Sequence, residues 1–229
     1  MSRFAAVLSL TLALGACMDE PIGPQQGTGD AQLAVLNALA LGDQAQLRLD
    51  GVVMHMPPSG TTTSAAIPSG FHRLEVRSFT GDLLASADFA APAGGRRSAV
   101  LSGATARNVS LLVVSDTASL PPAGAAKVRL VHTVPKAPIF DTYLFRAGQS
   151  ADSGARFVSP FMFGVGVNPQ FPGYAVRSPG NYTVQLTLPG TGQVMVQKGP
   201  ITLGAGQVIS VVLAENAAAE LELRVVRER

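Results

Sequence analysis

His132 and Asp141, nine positions apart, are the nearest this chain comes to a catalytic pair. An imidazole beside a carboxylate can move a proton for a nucleophile, but hydrolysis by that route also needs a serine on a strained turn. The Gly-x-Ser-x-Gly pattern that supplies one is absent. The other histidines are His55 and His72, and no His-x-x-x-His pair or comparable ligand spacing exists to hold zinc. The 15 acids are scattered through turns and tails, so no local pair of glycosidase type is visible. The glycines read as turns between strands, not as a phosphate-cradling loop. No catalytic residue, metal or cofactor is therefore expected. His72 is placed on the solvent face of a strand and His132 against a turn, where polar side chains satisfy backbone groups. Arg96 and Arg97 in AGGRR read as an anion contact or as exposed charge at a turn.

The densest chemistry is aromatic. Phe157, Phe161, Phe163, Phe171 and Tyr174 are five of thirteen aromatics, within eighteen residues and interleaved with glycine and proline. Flat rings on such a loop make a binding platform for a sugar or a partner pocket. The alternative is an ordinary strand in FMFGVGV whose rings plug a core.

Cys17 is the one thiol in 229 residues. It follows Arg3, an apolar run from Phe4 to Leu14, and the small residues Gly15 and Ala16. That order is a secretory signal peptide over 1–16, too short to remain as a membrane span. Leu14-Gly15-Ala16-Cys17 resembles the bacterial lipoprotein box, in which the cysteine is lipidated with diacylglycerol and then acylated (palmitate is the usual chain) at its new amino group. Each buried methylene contributes about 0.8 kcal/mol, so two or more chains hold stably. The resemblance implies a membrane partner reached through an N-terminal lipid anchor. The absence of an aspartate directly after Cys17 points to the outer over the inner membrane.

Residues 17–30 then read as the lipidated cysteine and a flexible Pro/Gly/Gln-rich tether. Without Arg3 the formal charge falls from +2 to +1, and no basic stripe suggests nucleic acid. Charged residues are 14%, against a usual quarter, while Gly and Pro together make 40 of 229. With the cysteine lipidated no disulfide is available, so stability must come from apolar cores.

The remainder is written twice. LAVLNALALGDQAQLRLDG from Leu33 aligns with VRLVHTVPKAPIFDTYLFR from Val128, PSGFHRLEV with SPGNYTVQL, AGGRRSAVLSG with GAGQVISVVLA, and SLLVVSDT with LELRVVRE. In this alignment Asn37 faces His132 and Gln46 faces Asp141, so one copy would lack the catalytic pair. The offset grows through a longer insertion in the second copy. Leu74 and Val76 alternate with Arg73, Glu75 and Arg77, as Tyr182, Val184, Leu186 and Leu188 alternate with Thr183, Gln185 and Thr187. That period of two marks half-buried strands. Short strands at about ten-residue spacing indicate an all-β protein, an antiparallel sandwich or barrel. The tract 216–223, helical by propensity, is read from its repeat partner as a loop entering a strand. The expected organisation is repeat 1 over 31–117, a linker over 118–126 and repeat 2 over 127–229.

AAKVRLVHTVPKAPIFDTYLF resembles the opening of the bacterial family named domain of unknown function 4397. His132, Pro135, Ala137-Pro138 and Asp141 fill its His-Ala-Ser-Pro, Ala-Pro and aspartate places. The likeness covers 31–229, with the first copy departing at Asn37, Gly42-Asp43 and Gln46. It implies two tandem antiparallel β-sandwich (Ig-like) domains on secreted or surface proteins, and no reaction. The functional expectation is a lipid-anchored cell-envelope protein whose modules bind or build without catalysis, with an envelope protein or glycan as partner. The alternative is a periplasmic or surface hydrolase, or a carbohydrate-active protein, with its site near Asp141 and His132.

Overall fold

The computed structural model describes residues 29–41, 45–115, 119–151, 156–165 and 173–228. Cys17, the signal peptide, the tether as far as residue 28 and Phe171 lie outside the described residues, and Asp30, the last residue expected in the tether, begins the first strand. The described chain is nearly all strand. The first half holds β1 (Asp30–Leu39), β2 (Ala45–Leu49), β3 (Val52–Met54), β4 (Thr62–Pro68), β5 (Gly70–Ser78), β6 (Leu83–Ala91), β7 (Arg96–Gly103) and β8 (Ser110–Ser115). The second holds β9 (Ala126–His132), β10 (Phe140–Arg146), β11 (Arg156–Phe161), β12 (Ala175–Arg177), β13 (Gly180–Thr187), β14 (Val194–Leu203), β15 (Val208–Glu215) and β16 (Leu221–Arg227). The tract 216–223 is a turn running into β16, as its repeat partner implied.

Each half is a sandwich of two four-stranded sheets, and the strand orders repeat. The first half has β4-β1-β7-β8 against β3-β2-β5-β6, and the second has β12-β9-β15-β16 against β11-β10-β13-β14. Alternation sets the cores. Leu33, Val35 and Leu39 of β1 meet Leu47, Leu74 and Val76 in the first, and Val128, Leu130, Val184, Leu186 and Val211 meet in the second. All pairs are antiparallel except β1 with β7 and β9 with β15. These parallel pairs join strands distant in sequence, and apolar alternation carries no signal of strand direction.

A third apolar cluster joins the halves. Ala34, Leu36 and Ala38 of β1 and Val100 of β7 pack on Val131 of β9, Val212 of β15 and Val226 of β16. The sheets containing β1 and β9 are thus covered on both faces, giving four stacked layers. This is why β1 reads as a nearly unbroken apolar run: a strand buried on both sides has no polar face. Polar bonds cross the same seam. Ser102 Oγ donates to Thr133 Oγ1 at 2.6 Å, and Thr133 Oγ1 donates to the Leu213 carbonyl at 2.6 Å. The Arg224 guanidinium donates to the carbonyls of Ala38 and Gly103. Gly103 has φ of 122°, and a Cβ there would lie 2.4 Å from the Asn108 carbonyl oxygen, so a side chain cannot replace it.

Candidate functional site

His132 ends β9 inside the second core. Its ring is fully buried, with its centroid 5.0 Å from that of Phe161 and 6.1 Å from that of Phe140. The backbone N–H of Val134 donates to Nδ1 at 3.3 Å, which fixes the neutral tautomer with hydrogen on Nε2. Nε2 has no partner with hydrogen-bond geometry among the described residues. Burial pushes the ring's pKa down from 6.5 to about 4, outweighing the opposite pull of the Pro138 and His132 backbone. The turn contact expected for His132 is present, together with a burial the sequence did not signal.

Asp141 faces the other way. In the β10–β13 register Thr142 pairs with Leu186 and Leu144 with Val184, both core residues, whereas Asp141 pairs with Thr187. Successive residues alternate faces, so the carboxylate lies on the outer side of that sheet. There it accepts from Ser159 Oγ and pairs with Arg156 Nε at 3.3 Å. The contacts of Arg156 with Tyr143 and Asp141 hold its guanidinium above its ordinary pKa. No hydrogen bond or ion pair joins His132 to Asp141 among the described residues. A sheet layer separates the two, and the pair cannot share a proton.

His72 corrects the expectation of a solvent-facing ring. It lies on the face of Leu74 and Val76 and is buried. Nδ1 bonds Asp50 Oδ2 at 2.7 Å, Nε2 bonds the Pro68 carbonyl at 2.8 Å, and the ring leans on Phe89. The period of two was right and the face was not, because His72 is two residues before Leu74. Arg97 spans a connection between sheets, donating to the Ala90 carbonyl and to Ser115 Oγ.

The four described rings of the aromatic insertion do not share one exposed face. Phe161 is 0% exposed and belongs to the core, and Phe157 packs against that core with the Arg177 guanidinium 5.1 Å from its ring. Tyr174 covers Arg129, whose guanidinium carbon lies 4.5 Å from the ring centroid. Phe163 alone of the four described stands well into solvent, at 43%. Phe161 is therefore a plug, since its strand β11 pairs it directly with Phe140.

Sequence reasoning missed the set that holds Tyr174. Arg129 of β9 is buried, donates from Nε to Ser210 Oγ at 2.6 Å and pairs with Glu228 at 3.4 Å. Ser210 Oγ and Tyr174 OH also donate to the Glu228 carboxylate. The set ties the end of the insertion and the C-terminal segment to β9. The one available signal was an arginine interrupting the apolar run VRLVH. Among the described residues no three His, Cys, Asp or Glu cluster to hold a metal ion.

Residues 31–143 match the model of a family described as "Domain of unknown function (DUF4397)". The match covers the first half, including the copy that departs at Asn37, and reaches into the second as far as Tyr143. No curated protein matches the chain. A solved structure titled "The Bacillus anthracis TIE protein" is similar at 10% identity, over 81% of this chain and 34% of that chain, with a TM-score of 0.25. The chain thus spans about a third of that structure's length, and a likeness this distant carries no argument.

Proposed function

We propose, from the premise that residues 31–143 carry a domain of the DUF4397 family, that this is a lipid-anchored protein of the bacterial cell envelope. Its two sandwich-like halves act by contact and not by catalysis. The observation that carries the contact role is the separation of His132 from Asp141. A ring inside the core and a carboxylate on the outer face leave the hydrolase alternative without a working pair. The anchor rests on Leu14-Gly15-Ala16-Cys17 and the apolar run before it. Lipid on Cys17 would hold the chain at the membrane, with the outer membrane favoured over the inner because Met18 and not an aspartate follows the cysteine. Envelope proteins or glycans are the partners this placement makes available.

Mass spectrometry of the amino-terminal peptide from membrane-isolated protein tests the anchor. A peptide beginning at an acylated Cys17 is expected, and Cys17→Ser should release the chain from the membrane fraction. An unmodified amino terminus would overturn the anchor. For the contact role, deletion of 157–174 is uninformative because Phe161 and Tyr174 support the fold. Phe163→Ala is the usable variant, and capture from the native envelope should weaken with it. Turnover of any substrate abolished by Asp141→Ala in a folded protein would instead favour the hydrolase.

A further inference from the structure

The two halves end alike in backbone and differ in what fills the end. Asn37 and His132 occupy equivalent places. The Asn37 N–H donates to the Thr61 carbonyl and its carbonyl accepts from Gly60 N–H, as His132 N–H donates to Val165 and its carbonyl accepts from Gly164 N–H. Each side chain then accepts the N–H two residues on, Leu39 to Asn37 Oδ1 at 2.9 Å and Val134 to His132 Nδ1 at 3.3 Å. In the second half the space beside this turn is packed by Phe140 and Phe161, both fully buried.

In the first half the counterpart of Phe140 is Ala45. The registers establish it: Gln46 pairs with Arg77 and Leu47 with Val76, as Asp141 pairs with Thr187 and Thr142 with Leu186. The strand that delivers Phe161 is also cut short. β11 pairs with β10 as far as Phe140, whereas β3 pairs with β2 only at Leu47, Arg48 and Leu49. The result is a cleft of about 520 Å³. Leu39, Ala45, Met56, Pro57, Pro58 and Phe79 give it apolar walls. Its inner polar groups are already used, since Asn37 Nδ2 donates to the Pro57 carbonyl at 2.7 Å and Ser59 Oγ to the Leu39 carbonyl. His55, the remaining polar lining residue, is exposed, so the inner floor offers contact to an apolar ring more than a partner to an ion or a sugar.

We propose that this cleft receives an aromatic side chain carried on an extended segment of another polypeptide, which adds beside β2 at Ala45 and Gln46. The second half supplies the template: β11 lies along β10 and buries Phe161 against Phe140. Backbone pairing at a sheet edge gives such a segment its affinity and the pocket gives its specificity. Met56, unbranched and adaptable, shapes the wall to the ring. The site shares no residue with the 157–174 insertion or with Cys17, so its test and those above fail separately.

The probe is the peptide RFVSPFM, which copies residues 156–162, titrated into the full chain labelled with 13C at the methionine methyls. Saturable shifts of the Met56 methyl are expected, with at least tenfold weaker binding for the peptide carrying alanine at its second phenylalanine. Ala45→Phe should fill the cleft and abolish the shifts while the thermal midpoint stays at or above that of the parent. Should that variant melt lower, Ala45→Leu, with a smaller side chain, should weaken binding at least tenfold. No saturable shift at millimolar peptide, or equal binding by the filled variants, overturns the proposal. So does self-association that the filled variants abolish, which would give the place to a second copy. Saturation by toluene without any peptide binding would give it to a free small molecule and overturn the proposal as well.

Discussion

Ser102 of the first half donates its hydroxyl proton to Thr133 Oγ1 of the second at 2.6 Å, with both residues buried. The bond sits at the end of an apolar seam, and together they make the halves one body.

That body should unfold as a unit. Leu36 is fully buried in the seam, and Leu36→Ala is expected to cost about 2–5 kcal/mol through lost burial and the cavity left behind. A single transition in chemical denaturation, shifted as a whole by this variant, is the expected result. Two separable transitions in the parent would mean that the seam does not couple the halves. A double-mutant cycle of Ser102→Ala and Thr133→Val should give a coupling of about 1 kcal/mol.

The sandwiches were legible in the sequence because Leu74 and Val76 against Arg73 and Glu75 can only be a strand with one wet face. The seam was not legible: LAVLNALAL in β1 has no wet face, but nothing local says that Val131 and Val212 cover Leu36. His72 was misplaced because neighbouring positions offer opposite faces and a histidine suits either. Asp141 and His132 looked like a pair because they lie only nine positions apart in the sequence. The register puts a sheet between them, and register depends on pairing with β13, far along the chain.

Acid should find His132 first. Its folded pKa of about 4 lies below the ordinary 6.5, so the folded state binds the proton less tightly than the unfolded chain. Stability is therefore full above pH 6.5 and falls as the pH drops toward 4, by about 3 kcal/mol in total. His132→Asn, which installs the residue found at position 37 and keeps an acceptor for Val134 N–H, should flatten the melting temperature across that window. Asp50 acts lower. Desolvation raises its pKa, but the Arg73 backbone N–H and His72 together hold it below 3.8, so its contribution is lost only as the pH falls through that region. An unchanged slope between pH 6.5 and 4 in the asparagine variant would rule His132 out as the source.

Within the insertion, position should decide cost. Phe161→Ala removes a fully buried ring tilted against His132 and is expected to cost about 3–5 kcal/mol. Phe163→Ala removes a ring 43% exposed and should stay within about 0.5 kcal/mol. Urea denaturation of the two variants side by side separates core from surface. Equal losses would mean that the insertion packs as one unit.

The buried ion pair should be worth less than its breakage suggests. Replacing Glu228 with glutamine leaves the Arg129 guanidinium buried without its counter-charge, and a loss of about 3–5 kcal/mol is expected. Tyr174→Phe removes one donor to that carboxylate while keeping the ring over Arg129, so about 1–2 kcal/mol should go. Replacing Arg129 with methionine and Glu228 with glutamine together leaves no unpaired charge and should recover most of the first loss, because desolvating two charges nearly cancels their attraction. Thermal melts of the three variants order them. If the double variant is less stable than Glu228→Gln alone, the pair contributes net stability and Arg129 is held for more than its packing against Tyr174.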